Sequence, residues 1–257
     1  MKKSIVILVL MALLCGFSNQ RANAQETSNQ KLIVFEEMVS PADMNAFWHA
    51  QAKVCDLWKE HRFDVPIYAY VNEESAFYWV IPIENFGSID GLFGKFWDFF
   101  ETMKDEDDFD SGEAFKGLYS GSQSIIESVQ ELSHYPKVKR SSAESKPFAE
   151  WTFFHLKAGH EHEADAVIKK YVDYYANIDL DYEWEVYKVL LGPDTPTYIL
   201  MIIDEDEASM RDKEKELREK YKDDFDKLWN EFMQHIRKME TRKGWYLSEM
   251  SNLPQTE

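Results

Sequence analysis

Asp181–Ile203 reads DYEWEVYKVLLGPDTPTYILMII, and its pattern decides the fold. Trp184–Leu191 alternates like a strand, Gly192-Pro193-Asp194 is a turn, and Thr197–Ile203 is a second strand, so the stretch is a β-hairpin. The same pattern lies 120 residues earlier, in Pro66–Val71, the turn Asn72-Glu73-Glu74, and Phe77–Ile83. At that offset Tyr78 meets Tyr198, Ile83 meets Ile203, and Glu84 meets Asp204. A long fixed period marks an internal repeat.

Outward from each hairpin the elements follow one order. Lys31–Val39 is a strand, and Ser40-Pro41-Ala42-Asp43 opens a helix to about Lys59, with Ser40 at the N-cap and Pro41 at the first helical position. After the first hairpin come an amphipathic helix, Ile89–Met103, a short helix, Glu113–Gly121, and a strand, Ile125–His134. The second half reads Trp151–Lys157 strand, Gly159–Ala176 helix, the hairpin, a long helix from Glu205 to Met239, and a closing strand, Gly244–Met250. The stripe Met210, Leu217, Tyr221, Phe225, Leu228, Phe232, Ile236, Met239 carries that long helix. Residues 25–136 form the first repeat, 137–148 a polar, Ser-rich linker, and 149–257 the second repeat.

The first 24 residues have the features of a secretory signal peptide. Lys2 and Lys3 precede the apolar run Ile5–Leu14, and Ala22-Asn23-Ala24 is a cleavage site. That run is about ten residues, where a bilayer span takes about 20. Leu14 before Cys15 is not the small residue that lipoprotein processing needs. The expected mature protein is Gln25–Glu257, exported to a bacterial periplasm or beyond. Its charge of −18 becomes −21 once Lys2, Lys3 and Arg21 leave. Such acidity excludes the basic surface that nucleic acid requires, and serves solubility. Cys15 departs with the leader, so Cys55 has no partner for an intramolecular disulfide. The 8 Trp, 13 Tyr and 17 Phe supply the core instead.

Two β-α-β-β-α-β units make two four-stranded antiparallel sheets, each with helices on one face. The bare faces carry aromatic side chains and are best covered by each other. This α+β arrangement resembles the dimeric α/β-barrel superfamily, with both ferredoxin-like halves on one chain as an internal pseudo-dimer. The resemblance rests on topology over residues 31–254. It implies a ligand site between the sheets and a range of chemistries: cofactor-free monooxygenases, NIPSNAP-like proteins, isomerases, and haem-binding peroxidases and dismutases. It also implies that a monomer already contains the pairing that single-domain relatives make between subunits.

Strand alternation sorts the candidates by face. Ile33, Phe35 and Glu37 share one face, matched at offset 120 by Phe153, His155 and Lys157. Tyr68 and Tyr70 share a face, and Tyr187 takes the place of Ile67. His155, mid-strand among aromatics, suits a general base or a haem ligand, or else a hydrogen-bonded core histidine. Tyr68, Trp151, His155 and Tyr187 are the expected ligand-binding set. Glu37 and Lys157 are expected to form a structural ion pair. His160-Glu161-His162-Glu163 lacks the i, i+4 spacing of a metal pair, and its acids suit a helix N-terminus. Asp105–Asp110 lacks the glycine and the closing glutamate of a calcium loop. Cys55 falls in its helix's apolar stripe.

Three functions fit these residues. The first is an exported protein binding a small apolar or aromatic molecule between its sheets, with no cofactor. The second is an oxidoreductase, cofactor-free or haem-dependent, using His155. The third is a structural protein whose barrel is filled by its own aromatics. A cavity separates the first two from the third, and a polar group buried in that cavity separates the second from the first.

Overall fold

The computed structural model describes residues 29–135, 145–178 and 182–254. Residues 1–24, expected as a signal peptide, and residues 137–144 of the expected linker lie outside those described. Eight strands run in chain order: β1 Lys31–Val39, β2 Tyr68–Asn72, β3 Ala76–Ile83, β4 Tyr119–Ser128, β5 Phe148–Leu156, β6 Glu185–Leu191, β7 Thr197–Asp204 and β8 Ile236–Tyr246. The α-helices are α1 Met44–Glu60, α2 Ile89–Asp107, α3 Ser111–Ala114, α4 Glu161–Asn177 and α5 Glu207–Met233.

All pairings are antiparallel, and the strands close into one barrel in the order β1-β3-β2-β8-β5-β7-β6-β4. The first half contributes 4-1-3-2 and the second 8-5-7-6. The two sheets therefore do more than face each other. They are hydrogen-bonded at both seams, Tyr70–Asn72 against Gly244–Tyr246 and Ile125–Ser128 against Tyr187–Leu191. Closure removes the exposed edges that two open sheets would leave. With eight strands the interior is wide enough for side chains or for one small ligand.

The helices pack outside the barrel, each half over its own apolar layer. Phe47, Leu57, Phe77, Ile81 and Met103 are fully buried in the first, and Leu132, Leu156, Val167 and Ala164 in the second. At about 25 cal/mol per Å² these layers supply most of the driving force for folding. The aromatic supply is spent here: the Phe47 and Phe77 rings pack tilted at 4.7 Å, and so do Phe63 and Phe99 at 4.7 Å.

Several boundaries differ from the periodicity. Ser40 is not the helix cap. The Asp43 amide donates to the Ser40 carbonyl at 3.0 Å, closing a separate turn, and α1 starts at Met44. Strand β4 begins at Tyr119, because residues 119–124 pair with Val34–Val39, and only Ser111–Ala114 is helical before it. Helix α5 ends at Met233, and Ile236 to Tyr246 is strand. Ile236 and Met239 fit a helical stripe, yet the ladder they complete against β5, from Phe148 to Leu156, outweighs local propensity.

The expected faces also need correction in the opening strands. Leu32, Val34 and Glu36 line the barrel interior, whereas Ile33 belongs to the helix-side core. In β5 the interior set is Trp151, Phe153 and His155. Equivalent positions are thus 119 apart: Glu36 opposes Tyr78 as His155 opposes Thr197, and Val34 opposes Val80 as Phe153 opposes Ile199. Tyr187 accordingly matches Tyr68 and not Ile67, and Tyr198 faces the helices while Tyr78 faces inward. Because side chains alternate with period two, a one-residue error exchanges the faces. Glu37 and Lys157 form no ion pair: Glu37 accepts from the Trp79 indole at 2.7 Å, and Lys157 donates to the Gln234 carbonyl at 2.6 Å.

Candidate functional site

The barrel encloses a cavity of about 680 Å³, and Tyr68, Trp151, His155 and Tyr187 all line it. Its lower part is an aromatic cluster. The Tyr70 ring meets Trp151 edge-on at 5.6 Å and Tyr246 at 5.3 Å, and Tyr78 lies 5.6 Å from Trp151. Gly244 makes room for Trp151, since a Cβ there would stand 2.8 Å from its ring and 2.2 Å from the Val71 carbonyl oxygen.

The cavity wall is crossed by charge. Arg242 donates to Glu36 at 2.6 Å and to the Tyr78 hydroxyl at 2.8 Å, and its guanidinium lies 4.8 Å over the Phe153 ring. Burial, reinforced by the Glu36 charge, pushes the Tyr78 phenol up to about 12. The Tyr187 hydroxyl donates to Glu185, which also accepts from Tyr135 at 2.9 Å. Burial first, then the Glu185 charge, pushes the Tyr187 phenol well above its ordinary value.

At the mouth stands His155, 5% exposed. Its Nδ1 lies 2.9 Å from the Thr197 hydroxyl oxygen, and that hydroxyl is 2.5 Å from the Asp194 carbonyl oxygen. Its Nε2 is buried and makes no hydrogen bond, with a Glu240 carboxylate oxygen 3.5 Å away. Lys238 hydrogen-bonds Glu240 at 2.6 Å and so holds its carboxyl below the usual range, as Arg237 does for Asp194.

A second cavity, of about 470 Å³, lies on the other side of the sheet, between β5–β7 and helices α4 and α5. In the first half the equivalent layer is packed with Phe47, Trp58, Phe63 and Phe99. Its walls are Tyr171, Tyr175, Tyr182, Trp184, Phe225 and Trp229, with Glu214, Arg218 and Asp226 also at its surface. The Tyr182 hydroxyl is buried without a hydrogen-bond partner, and burial pushes its phenol far above the ordinary value, so it keeps its proton. Helix α5, which roofs the cavity, has a non-helical residue at Tyr221, with φ −126° and ψ 24°. Breaks of this kind in a helix are local and have identifiable causes. Here two helical segments meet over an aromatic void.

The remaining candidates have structural duties. His160 Nδ1 lies 3.0 Å from His235 Nδ1, His162 is exposed, and among the described residues no group of three His, Cys, Asp or Glu is placed to hold a metal ion. Asp107 pairs with His61 at 2.8 Å, and Asp110 caps α3 through the Glu113 amide. Cys55 is buried, and desolvation pushes its thiol up to about 11, away from the thiolate a nucleophile needs.

The sequence pattern named Tyr68, Trp151, His155 and Tyr187 in the barrel interior but not the charges among them. Glu36, Arg242, Thr197 and Glu240 were missed because ladder partners are distant in sequence. The helix-side cavity was missed altogether, although Tyr171, Tyr174 and Tyr175 with Phe225 signalled an aromatic face between two helices.

No protein-family model matches the chain, and no curated protein matches it in sequence. Solved structures do match it in fold. An anthrone oxidase-like protein aligns with a TM-score of 0.60 at 9% identity, over 86% of this chain and 92% of that one. A chlorite dismutase from Candidatus Nitrospira defluvii, in complex with imidazole, aligns with a TM-score of 0.50 at 11% identity, over 90% of this chain and 96% of that one. The chain has the fold of the dimeric α/β-barrel proteins, with an antiparallel eight-stranded barrel clad in helices. Among the described residues no helix is long and apolar enough to cross a membrane.

Haem, one of the cofactors that the resemblance implied, finds poor ligation among the described residues of either cavity. Among the described residues the helix-side cavity is lined by no His, Cys or Met, and burial pushes its Tyr175 and Tyr182 phenols well above their ordinary value. Among the described residues lining the barrel the ligand types are His155, which looks onto the Glu240 carboxylate at 3.5 Å, and Met201. Four carboxylates there, Glu36, Glu185, Asp194 and Glu240, outnumber the one guanidinium, and their excess negative charge would repel propionates.

Proposed function

We propose that this protein is a cofactor-free oxidoreductase acting on a small, flat, largely apolar molecule held in the helix-side cavity. The buried, unpartnered Tyr182 hydroxyl carries the proposal. A site of this volume with apolar walls and a few polar groups is the usual form of a small-molecule pocket, and an unpaired donor at its wall costs about 1–3 kcal/mol until a ligand oxygen accepts from it. A ketone or phenol oxygen on an aromatic ring system satisfies both requirements.

Once bound, such a ketone has its oxygen polarised by the Tyr182 donor, which acidifies the CH2 group conjugated to it through the aromatic rings. Glu214, a carboxylate on the same cavity that also accepts from Arg211 at 2.7 Å, is assigned to receive that proton. Dioxygen is the oxidant. The CH2 carbon loses two hydrogens and gains one oxygen atom as a carbonyl, and the second oxygen atom leaves as water. Likeness in fold to an anthrone oxidase-like protein supports the reading.

Oxygen uptake with anthrone as probe, together with native mass spectrometry, tests the proposal. The expected result is turnover that falls at least tenfold in Tyr182→Phe, with a bound mass retained. Binding without oxygen uptake would make the protein a carrier and overturn the oxidoreductase. Neither binding nor uptake would remove the site as well.

Two further readings belong with this one. The signal-like residues 1–24 lead to an exported mature protein starting at Gln25, which N-terminal sequencing of the native protein checks. The matched strand orders of residues 25–136 and 149–257 support two tandem ferredoxin-like repeats joined by the linker 137–148.

A further inference from the structure

The barrel interior has a different chemistry from the helix-side cavity. Its logic begins with one proton. The Thr197 hydroxyl donates its hydrogen to the Asp194 carbonyl at 2.5 Å, so its oxygen only accepts from His155. Nδ1 of His155 is therefore the protonated nitrogen, and in the neutral ring Nε2 carries a bare lone pair. That nitrogen is buried, unbonded, and 3.5 Å from a Glu240 oxygen. Glu240 stays ionised beside Lys238. With the ring neutral, two acceptors thus face each other with no donor between them. This arrangement is unfavourable when empty and favourable around a charged N–H group.

The surroundings point the same way. Four carboxylates and one guanidinium line the cavity, and that guanidinium is already committed to Glu36, Tyr78 and the Phe153 face. Across the ladders, Phe153 lies beside Glu240 on one neighbour and Ile199 on the other, with Tyr187 next in the row. Trp151 lies two residues further along β5, about 7 Å deeper. Tyr68 and Tyr78 line the same cavity. A cation at the mouth would therefore have aromatic walls directly below it, the setting in which ammonium groups are recognised.

We infer that the barrel interior is a second binding site, taking an arylalkyl ammonium whose N–H groups bond His155 Nε2 and Glu240 and whose ring lies toward Trp151. The mouth is open to such a ligand, since the Glu240 and Asp194 side chains are 37% and 45% exposed. The negative charge of the whole chain, −18, draws cations toward it.

Calorimetry on the full chain with three indoles of one shape tests this site: tryptamine, uncharged 3-methylindole and anionic indole-3-acetate. Tryptamine is expected to bind at least tenfold more tightly than 3-methylindole, and indole-3-acetate more weakly than either. Glu240→Gln, a substitution at the exposed rim that leaves the core intact, is expected to remove the tryptamine advantage. Tyr182→Phe is expected to leave it unchanged, which separates this site from the helix-side cavity. Equal affinities for the three probes, or an unaltered Glu240→Gln, would overturn the inference. So would a nitrogen NMR spectrum of the free protein at slightly alkaline pH with the proton on Nε2.

Discussion

Gly244 and Trp151 are matched: the indole occupies the space that any side chain at 244 would claim, 2.8 Å from the position of its Cβ. Gly244 also sits on the β2–β8 seam opposite Asn72. One residue therefore controls both barrel closure and the depth of the cavity.

Gly244→Ala is expected to destabilise the protein by about 2–3 kcal/mol, because the Val71 carbonyl cannot move without breaking the seam. Urea denaturation followed by tryptophan fluorescence measures it. Trp151→Phe in the same background should recover part of the loss, as the indole is the softer of the two neighbours.

Asp204 gives the fold an acid limit. Burial alone would raise its carboxyl, but Lys213 at 2.7 Å, the Glu205 amide at 2.8 Å and Ser209 at 3.0 Å bring it below the usual value. A carboxyl depressed in the folded state contributes stability above its unfolded value and loses it as pH falls through the folded one. Stability should therefore drop below about pH 4, the unfolded Asp value. Asp204→Asn should be less stable at neutral pH and show a shallower decline below it. Urea midpoints from neutral to acid pH provide the comparison.

The tyrosines set the alkaline limit with the opposite sign. Burial pushes Tyr78 and Tyr119 up to about 12, so the folded chain keeps protons that the unfolded chain releases near pH 10. Stability is full below that value and is lost as pH rises through 12. An ultraviolet phenolate titration should show a late class of tyrosines, and Tyr78→Phe should reduce its amplitude.

Filling the helix-side cavity should stabilise the protein while ending its binding. Leu217→Phe adds a ring where Leu217 now borders the void beside Phe225 and Trp229. An increase of about 0.5–1 kcal/mol is expected from such filling, together with loss of bound anthrone and unchanged affinity for tryptamine. A mutant that loses both ligands would show the two cavities to be coupled.

The second hairpin was legible at once. Glu185–Leu191 and Thr197–Asp204 are strands joined at Gly192–Asp194, as the alternation required, because a hairpin's pairing is local and its turn residues announce it. Strand β8 was not. Ile236 and Met239 carry the same letters in a helix as in a strand, and only the ladder to β5, about 85 residues earlier, selects the strand. His155 is similar. Its place among aromatics was readable from β5, but the Thr197, Asp194 and Glu240 groups that decide its tautomer come from β7, the β6–β7 turn and β8.

By itself, then, the sequence determined the order of the elements, the alternating strands of the hairpins, the shared face of Trp151 and His155, and a resemblance to dimeric α/β barrels. These follow from short-range periodicity and turn chemistry, which act along the chain. Tertiary structure alone decided that the two sheets close into one barrel, that equivalent positions lie 119 and not 120 residues apart, and that a second cavity opens under α5. Each depends on register and packing between segments far apart in sequence, where a shift of one residue exchanges the inside of a sheet for its outside.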